Sequence, residues 1–160
     1  MTAQNFNIKK GFTLIELLVV IGILAILLAI TLIAINPARQ FGQSNDTKRR
    51  ADVGAILNAV GQYQAENSGV LPAGIPVSPT AAANVSSAGA DLCALLTPKY
   101  LANLPADPTA GSPTTGQIAA SCPAGYDTGY TIVASTVANG SRVTVSTTTT
   151  YSGTPISVTR

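Results

Sequence analysis

The chain has no histidine and no tryptophan, and only 10% of its 160 residues are charged. Without histidine the commonest general base and metal ligand near neutral pH is missing, which argues against proton-transfer catalysis and imidazole metal sites. Soluble proteins carry about a quarter charged residues. So small a share, with a positive mean hydropathy, calls for a segment that faces lipid. A formal charge of +2 is too small to suggest polyanion binding, and no basic stripe with interleaved aromatics appears, so nucleic acid is not an expected partner. Cysteine occurs twice, at Cys93 and Cys122. One even pair in an exported domain favours a disulfide over a redox or metal site. The length suits one modest domain plus a long element, and not two cores.

What the chain does have is concentrated near its start. Residues 12–35 read FTLIELLVVIGILAILLAITLIAI, an apolar run whose one charge is Glu16. As a helix it spans roughly 36 Å, enough to cross a bilayer core. A secretory signal's apolar region is about 7–15 residues long and ends in a small-residue cleavage site. This run is longer and is followed by Asn36-Pro37, so it reads as a retained helix. Lys9 and Lys10 precede it; Arg39, Lys48, Arg49 and Arg50 follow it.

Pro37 predicts a kink or break at Asn36, and residues 38–50 are polar, with Gly42 and an Asn-Asp pair that weaken helix. From Ala51 an apolar stripe at Val53, Ile56, Leu57, Val60 and Tyr63 predicts an amphipathic helix. Ser68-Gly69 is its expected stop. Residues 70–90 and 102–128 read as loop. Asp91 is the expected cap of a short helix, DLCALLT, ended by Pro98. Further on the period changes to two: residues 130–137, 142–149 and 155–159 read as strands, with an Asn139-Gly140 hairpin turn between the first two. A small antiparallel sheet needs a cover for its apolar face, and the Val53–Tyr63 stripe is the expected one.

The string Lys9-Lys10-Gly11-Phe12-Thr13-Leu14-Ile15-Glu16 resembles the class III leader of type IV prepilins and type II secretion pseudopilins, and the order of long helix, loop and sheet is similar to a pilin head. The resemblance implies a pilin fold of the α+β class: 1–11 a cleavable leader, 12–35 a transmembrane and filament-core helix, 36–68 a kinked then amphipathic helix, 69–160 a globular head. It implies cleavage by prepilin peptidase between Gly11 and Phe12, N-methylation of Phe12, and Glu16 at the fifth mature position. Many relatives have a proline near position 33, where this chain has Ile33. With the proline at Pro37, the helix break on assembly is expected nearer the head, or the melted stretch is expected to start at Gly22. Implied partners are identical or homologous subunits in a helical homopolymer, an inner-membrane assembly platform, and lipid before assembly. The implied location is a single-pass inner-membrane pool, then an extracellular or periplasmic filament.

The chemistry of Glu16 can be argued independently. A carboxylate in an apolar segment costs about 2.5–3.5 kcal/mol on insertion scales, so it usually has a partner. Cleavage before Phe12 creates an α-amine, mostly cationic at neutral pH, which a neighbouring subunit can present to Glu16. The bland alternative is a snorkelling carboxylate near the end of an ordinary anchor.

Three further features are weighed on composition. Lys48-Arg49-Arg50 is a candidate for inter-subunit charge pairing or contact with anionic lipid, against a solvated helix face. Asp107 and Asp127, in loops rich in Pro and Gly, are candidate calcium ligands. Two aspartates are few for six to eight oxygens, and turn formation is the default. Asp127-Thr128-Gly129 resembles an aspartic protease triplet without the second copy a dyad needs. No nucleophile–base pair is visible, so an enzyme is not expected. The readings carried forward are a pilus subunit serving attachment, twitching motility or DNA uptake, a secretion pseudopilin, and an anchored binding protein that never polymerises.

Overall fold

The computed structural model describes residues 11–136 and 142–160. The leader up to Lys10 and the Asn139-Gly140 turn lie outside the described residues. The chain is α+β and divides into two compact units, Met1–Gln40 and Phe41–Arg160.

In the first unit, α1 runs from Leu14 to Ile35, 22 residues, with a mean hydropathy of 3.3 over an 18-residue stretch. At 1.5 Å per residue that is about 33 Å, enough to cross a membrane by length and composition. Helix α1 is continuous through Gly22 and ends where Asn36 takes the left-handed conformation, φ 47°. The expected break at Asn36-Pro37 is therefore present, and its cause is local. Asn36 also starts the next helix: its Oδ1 accepts the Arg39 N–H at 3.3 Å, and Pro37 occupies the first helical position, where a missing N–H costs nothing.

Helix α2 then runs without interruption from Pro37 to Glu66, 30 residues. The weakening expected over residues 38–50 does not occur. Propensity is overridden by tertiary contacts within the second unit: Asp46 accepts the N–H groups of Tyr151 and Ser152 at 3.0 and 3.2 Å, and the Tyr151 ring lies against Gly42 so closely that a Cβ would sit 2.3 Å from it. Gly42 is thus a packing site for an aromatic ring, not a helix breaker. The stop is as expected. Ser68 and Gly69 have φ of 54° and 84°, and the Gly69 N–H reaches back to the Gln64 carbonyl at 2.7 Å, the long bond of a Schellman turn.

The main sheet has four antiparallel strands in the order β1 (Ala83–Ser86), β4 (Asp127–Ala134), β5 (Val143–Thr147) and β6 (Ile156–Thr159). Its register places Thr131 beside Ser146 and Ser146 beside Ser157. Alternation then sends Tyr130, Ile132, Ala134, Val143 and Val145 inward, and turns Thr131, Thr144, Ser146, Ser157 and Thr159 outward. Val53, Ile56, Leu57 and Val60 of α2 join the inward residues in one core, with Tyr63 packed at its edge. Full burial of one such aliphatic side chain contributes about 1.5–3 kcal/mol, and truncating Ile56 to Ala would cost about 2–5 kcal/mol.

Both stretches read as loop hold structure. Strand β1 lies within 70–90; β2 (Leu104–Pro105) and β3 (Gln117–Ile118) pair within 102–128; and β4 begins at Asp127, three residues before the expected start. All are short or interrupted by Pro and Gly, so period-two alternation had too few residues to register. The short helix α3 covers Cys93–Leu96, and its cap position is Leu92, with no side-chain cap bond. Asp91 does not cap it, because its carboxylate accepts the Tyr126 hydroxyl at 2.6 Å.

Candidate functional site

At the start of α1, Thr13 adopts extended backbone and its hydroxyl accepts the Glu16 N–H at 3.3 Å. The Glu16 carboxylate in return accepts the Thr13 N–H at 2.9 Å and the Thr13 hydroxyl at 2.7 Å. This reciprocal capping box satisfies two orphan donors and sets a negative charge at the positive end of the helix dipole. Thr13-Leu14-Ile15-Glu16 carries the S/T-x-x-E signature before an apolar run, so the capping role of Glu16 was legible in the sequence and was missed. Gly11 and Phe12 precede the helix outside regular structure, and Phe12 is 89% exposed. Phe12, Ile15, Glu16, Val19 and Val20 line a shallow apolar groove on one side of the helix start.

Helix α1 buries none of its residues, and every large apolar side chain from Leu14 to Ile35 is at least 51% exposed. An apolar surface of this length is not stable in water. It needs lipid or other protein around it.

The basic cluster divides. Arg49 is buried, its Nε and Nη2 on the two Asp107 oxygens at 2.6 and 3.1 Å, its Nη1 on Asp46 at 2.8 Å, and Nη2 also on the Thr109 hydroxyl at 2.6 Å. Lys48 pairs with Asp52 at 2.5 Å. Both charges have partners inside the chain; Arg49 is buried, Lys48 is partly exposed and Arg50 is exposed. Sequence spacing could not separate them: residues 49 and 50 are each three or four positions from the buried Asp46 and Val53 on α2, and it is the arrival of Asp107 and Thr109 that buries Arg49.

Asp107 is fully buried, and its Oδ1 accepts N–H groups of Thr109 and Ala110 besides Arg49. Burial pushes its carboxyl up, but the guanidinium and these N–H groups outweigh that and hold it at about 2. The N–H of Tyr151 is the main cause that lowers Asp46. Hydrogen bonding to Asp107, above all, raises Arg49. Both Asp107 oxygens thus accept from donors of its own chain, which makes it a structural anion. Asp127 makes a turn contact, accepting the Gly129 N–H at 2.9 Å. Among the described residues no three acidic or cysteine side chains converge as a metal site. Cys93 and Cys122 form a disulfide, as their number and setting implied.

Comparison with known proteins agrees with the N-terminal string. Residues 7–32 match the family model of the prokaryotic N-terminal methylation motif, the class III leader of type IV pilins and pseudopilins. No curated protein and no solved structure matches the chain.

Proposed function

We propose, from the methylation motif on residues 7–32 and an α1 that buries nothing within its own chain, that this protein is a structural subunit of a type IV pilus-like filament. Prepilin peptidase removes residues 1–11 and methylates Phe12, while α1 holds the precursor in the inner membrane. An assembly platform then transfers α1 from lipid to the same faces of neighbouring copies in a helical homopolymer.

Glu16 sets the register of that transfer. In the free chain its carboxylate is held by Thr13. In the filament it faces the Phe12 amine of an adjacent copy across the groove of Ile15, Val19 and Val20. Two groups that are unfavourable in a low dielectric neutralise each other there, and misregistered packing leaves both unpaired. The exposed apolar helices supply the cohesion. Attachment, twitching motility and DNA uptake are the roles open to such a filament once it is extracellular.

The second reading is a type II secretion pseudopilin, whose short filament stays periplasmic, and the same motif favours it equally. Electron microscopy of sheared surface material, with mass spectrometry of the subunit, tests the first reading. Long filaments built of a chain that begins at methylated Phe12 are the expected result. Processed chain that stays in the cell envelope would favour the pseudopilin, and unprocessed chain would overturn both.

A further inference from the structure

The Lys48 side chain is 38% exposed, yet its ammonium is fully bonded within its own chain. It has three N–H donors and meets three acceptors: the Asp52 Oδ2 at 2.5 Å, the Gly116 carbonyl at 3.1 Å and the Ala106 carbonyl at 3.2 Å. These come from three separate segments: α2, the loop after β2 and the turn before β3. Two main-chain carbonyls and a carboxylate whose negative ends converge on one point repel each other unless a positive charge sits between them.

The surroundings are shaped to that point. Tyr130, fully buried, donates its hydroxyl to the same Asp52 Oδ2 at 2.8 Å and fixes its direction. Gly116 has φ +73°, and a Cβ there would lie 3.2 Å from the lysine Cε, so the turn is formed around the side chain. A recess of about 330 Å³ is lined by Lys48, Asp52 and Gly116, with Asn103 and Gln117 also in its wall, where the Asn103 amide N–H bonds the Gln117 Oε1 at 3.1 Å. The carboxylate and the two main-chain carbonyls are the kinds of donor that a hard, oxygen-seeking cation takes.

We propose that the Lys48 ammonium is a tethered cation, occupying by covalent attachment a position that a free metal ion would otherwise fill, and so making the order of the 105–117 loop independent of metal. Arg49, the next residue, anchors the same loop through Asp107. Together, two adjacent side chains of α2 hold a stretch of low hydrophobic content from within. Nothing here depends on polymerisation, so failure of the filament reading leaves it standing.

The test uses the full chain in detergent micelles, with melting followed by the fluorescence of its 5 tyrosines. For the native chain, neither EDTA nor calcium chloride should move the midpoint. Lys48→Met keeps the aliphatic stem and removes the charge. It should lower the midpoint by about 4–8 °C. Calcium chloride should restore most of that loss, and choline chloride at equal ionic strength should not. In Lys48→Met/Asp52→Asn, which lacks the carboxylate, calcium should no longer restore it. A native midpoint that falls in EDTA, or a Lys48→Met chain that melts with the native one or is indifferent to calcium, overturns the proposal. If Lys48→Met does not fold in either salt, Asp52→Asn alone decides, since an unchanged midpoint there also overturns it.

Discussion

Replacing Asp107 by Asn keeps the size of the side chain and removes the charge opposite Arg49. In the native chain the guanidinium bonds both Asp107 oxygens, and both residues are buried. Removing one partner of such a pair costs about 3–5 kcal/mol, because the other charge stays buried and under-compensated. Asp46 still faces Arg49, so the lower end of that range applies, about 3 kcal/mol. For a head of this size that lowers the melting midpoint by roughly 10 °C. The pH dependence gives a second, independent signature. A carboxyl shifted from 3.8 to about 2 by folding contributes about 2.5 kcal/mol. Because the folded value is the lower one, that contribution is complete above about pH 4 and disappears as pH falls from about 4 to 2. Thermal and urea unfolding of the full chain in micelles, between pH 7 and 2, should show the native protein losing stability across that window. Asp107→Asn should start lower and fall less steeply. A variant within 1 kcal/mol of native at pH 7, or one with the native slope below pH 4, would refute the account of Asp107 as a structural anion.

Glu16→Ala should be processed and inserted normally yet give few or no filaments by microscopy, and a normal yield would sink the register argument. Gly11→Leu should leave unprocessed precursor, read as a mass larger by residues 1–11 on intact-protein analysis. Replacing Cys93 and Cys122 by Ser opens a loop of sequence separation 29, and in the chain-entropy model this costs roughly 3–4 kcal/mol; urea titration of the double variant measures it. Gly42→Val should push Tyr151 off α2, since even a Cβ would lie 2.3 Å from its ring. The cost is about 1–3 kcal/mol, and the amides of Tyr151 and Ser152 should lose hydrogen-exchange protection.

Where contacts are local in sequence, they were legible in advance. The stripe at Val53, Ile56, Leu57 and Val60 repeats every three or four residues, and a helix puts such residues on one face whatever the rest of the chain does. The Asn36-Pro37 break and the Ser68-Gly69 stop follow from the backbone preferences of single residues. Strands β1, β2 and β3 were not legible, because two to four residues carry no period. The uninterrupted course of α2 through residues 38–50 was not legible either, because its cause is the loop carrying Tyr151 and Ser152, more than 100 residues away in sequence.

The site divides in the same way. By itself, the sequence determined that Glu16 lies one turn past the Gly11-Phe12 bond at the head of an apolar helix, because membrane span, leader and cap are all properties of consecutive residues. Only the tertiary structure decided what the charges around residue 48 do. Lys48, Arg49 and Arg50 look equivalent as a string, yet Lys48 gathers two loop carbonyls, Arg49 is buried between Asp46 and Asp107, and Arg50 faces out. Each successive residue on a helix points about 100° from the last. Which direction meets an acceptor depends on loops that arrive from the far end of the chain.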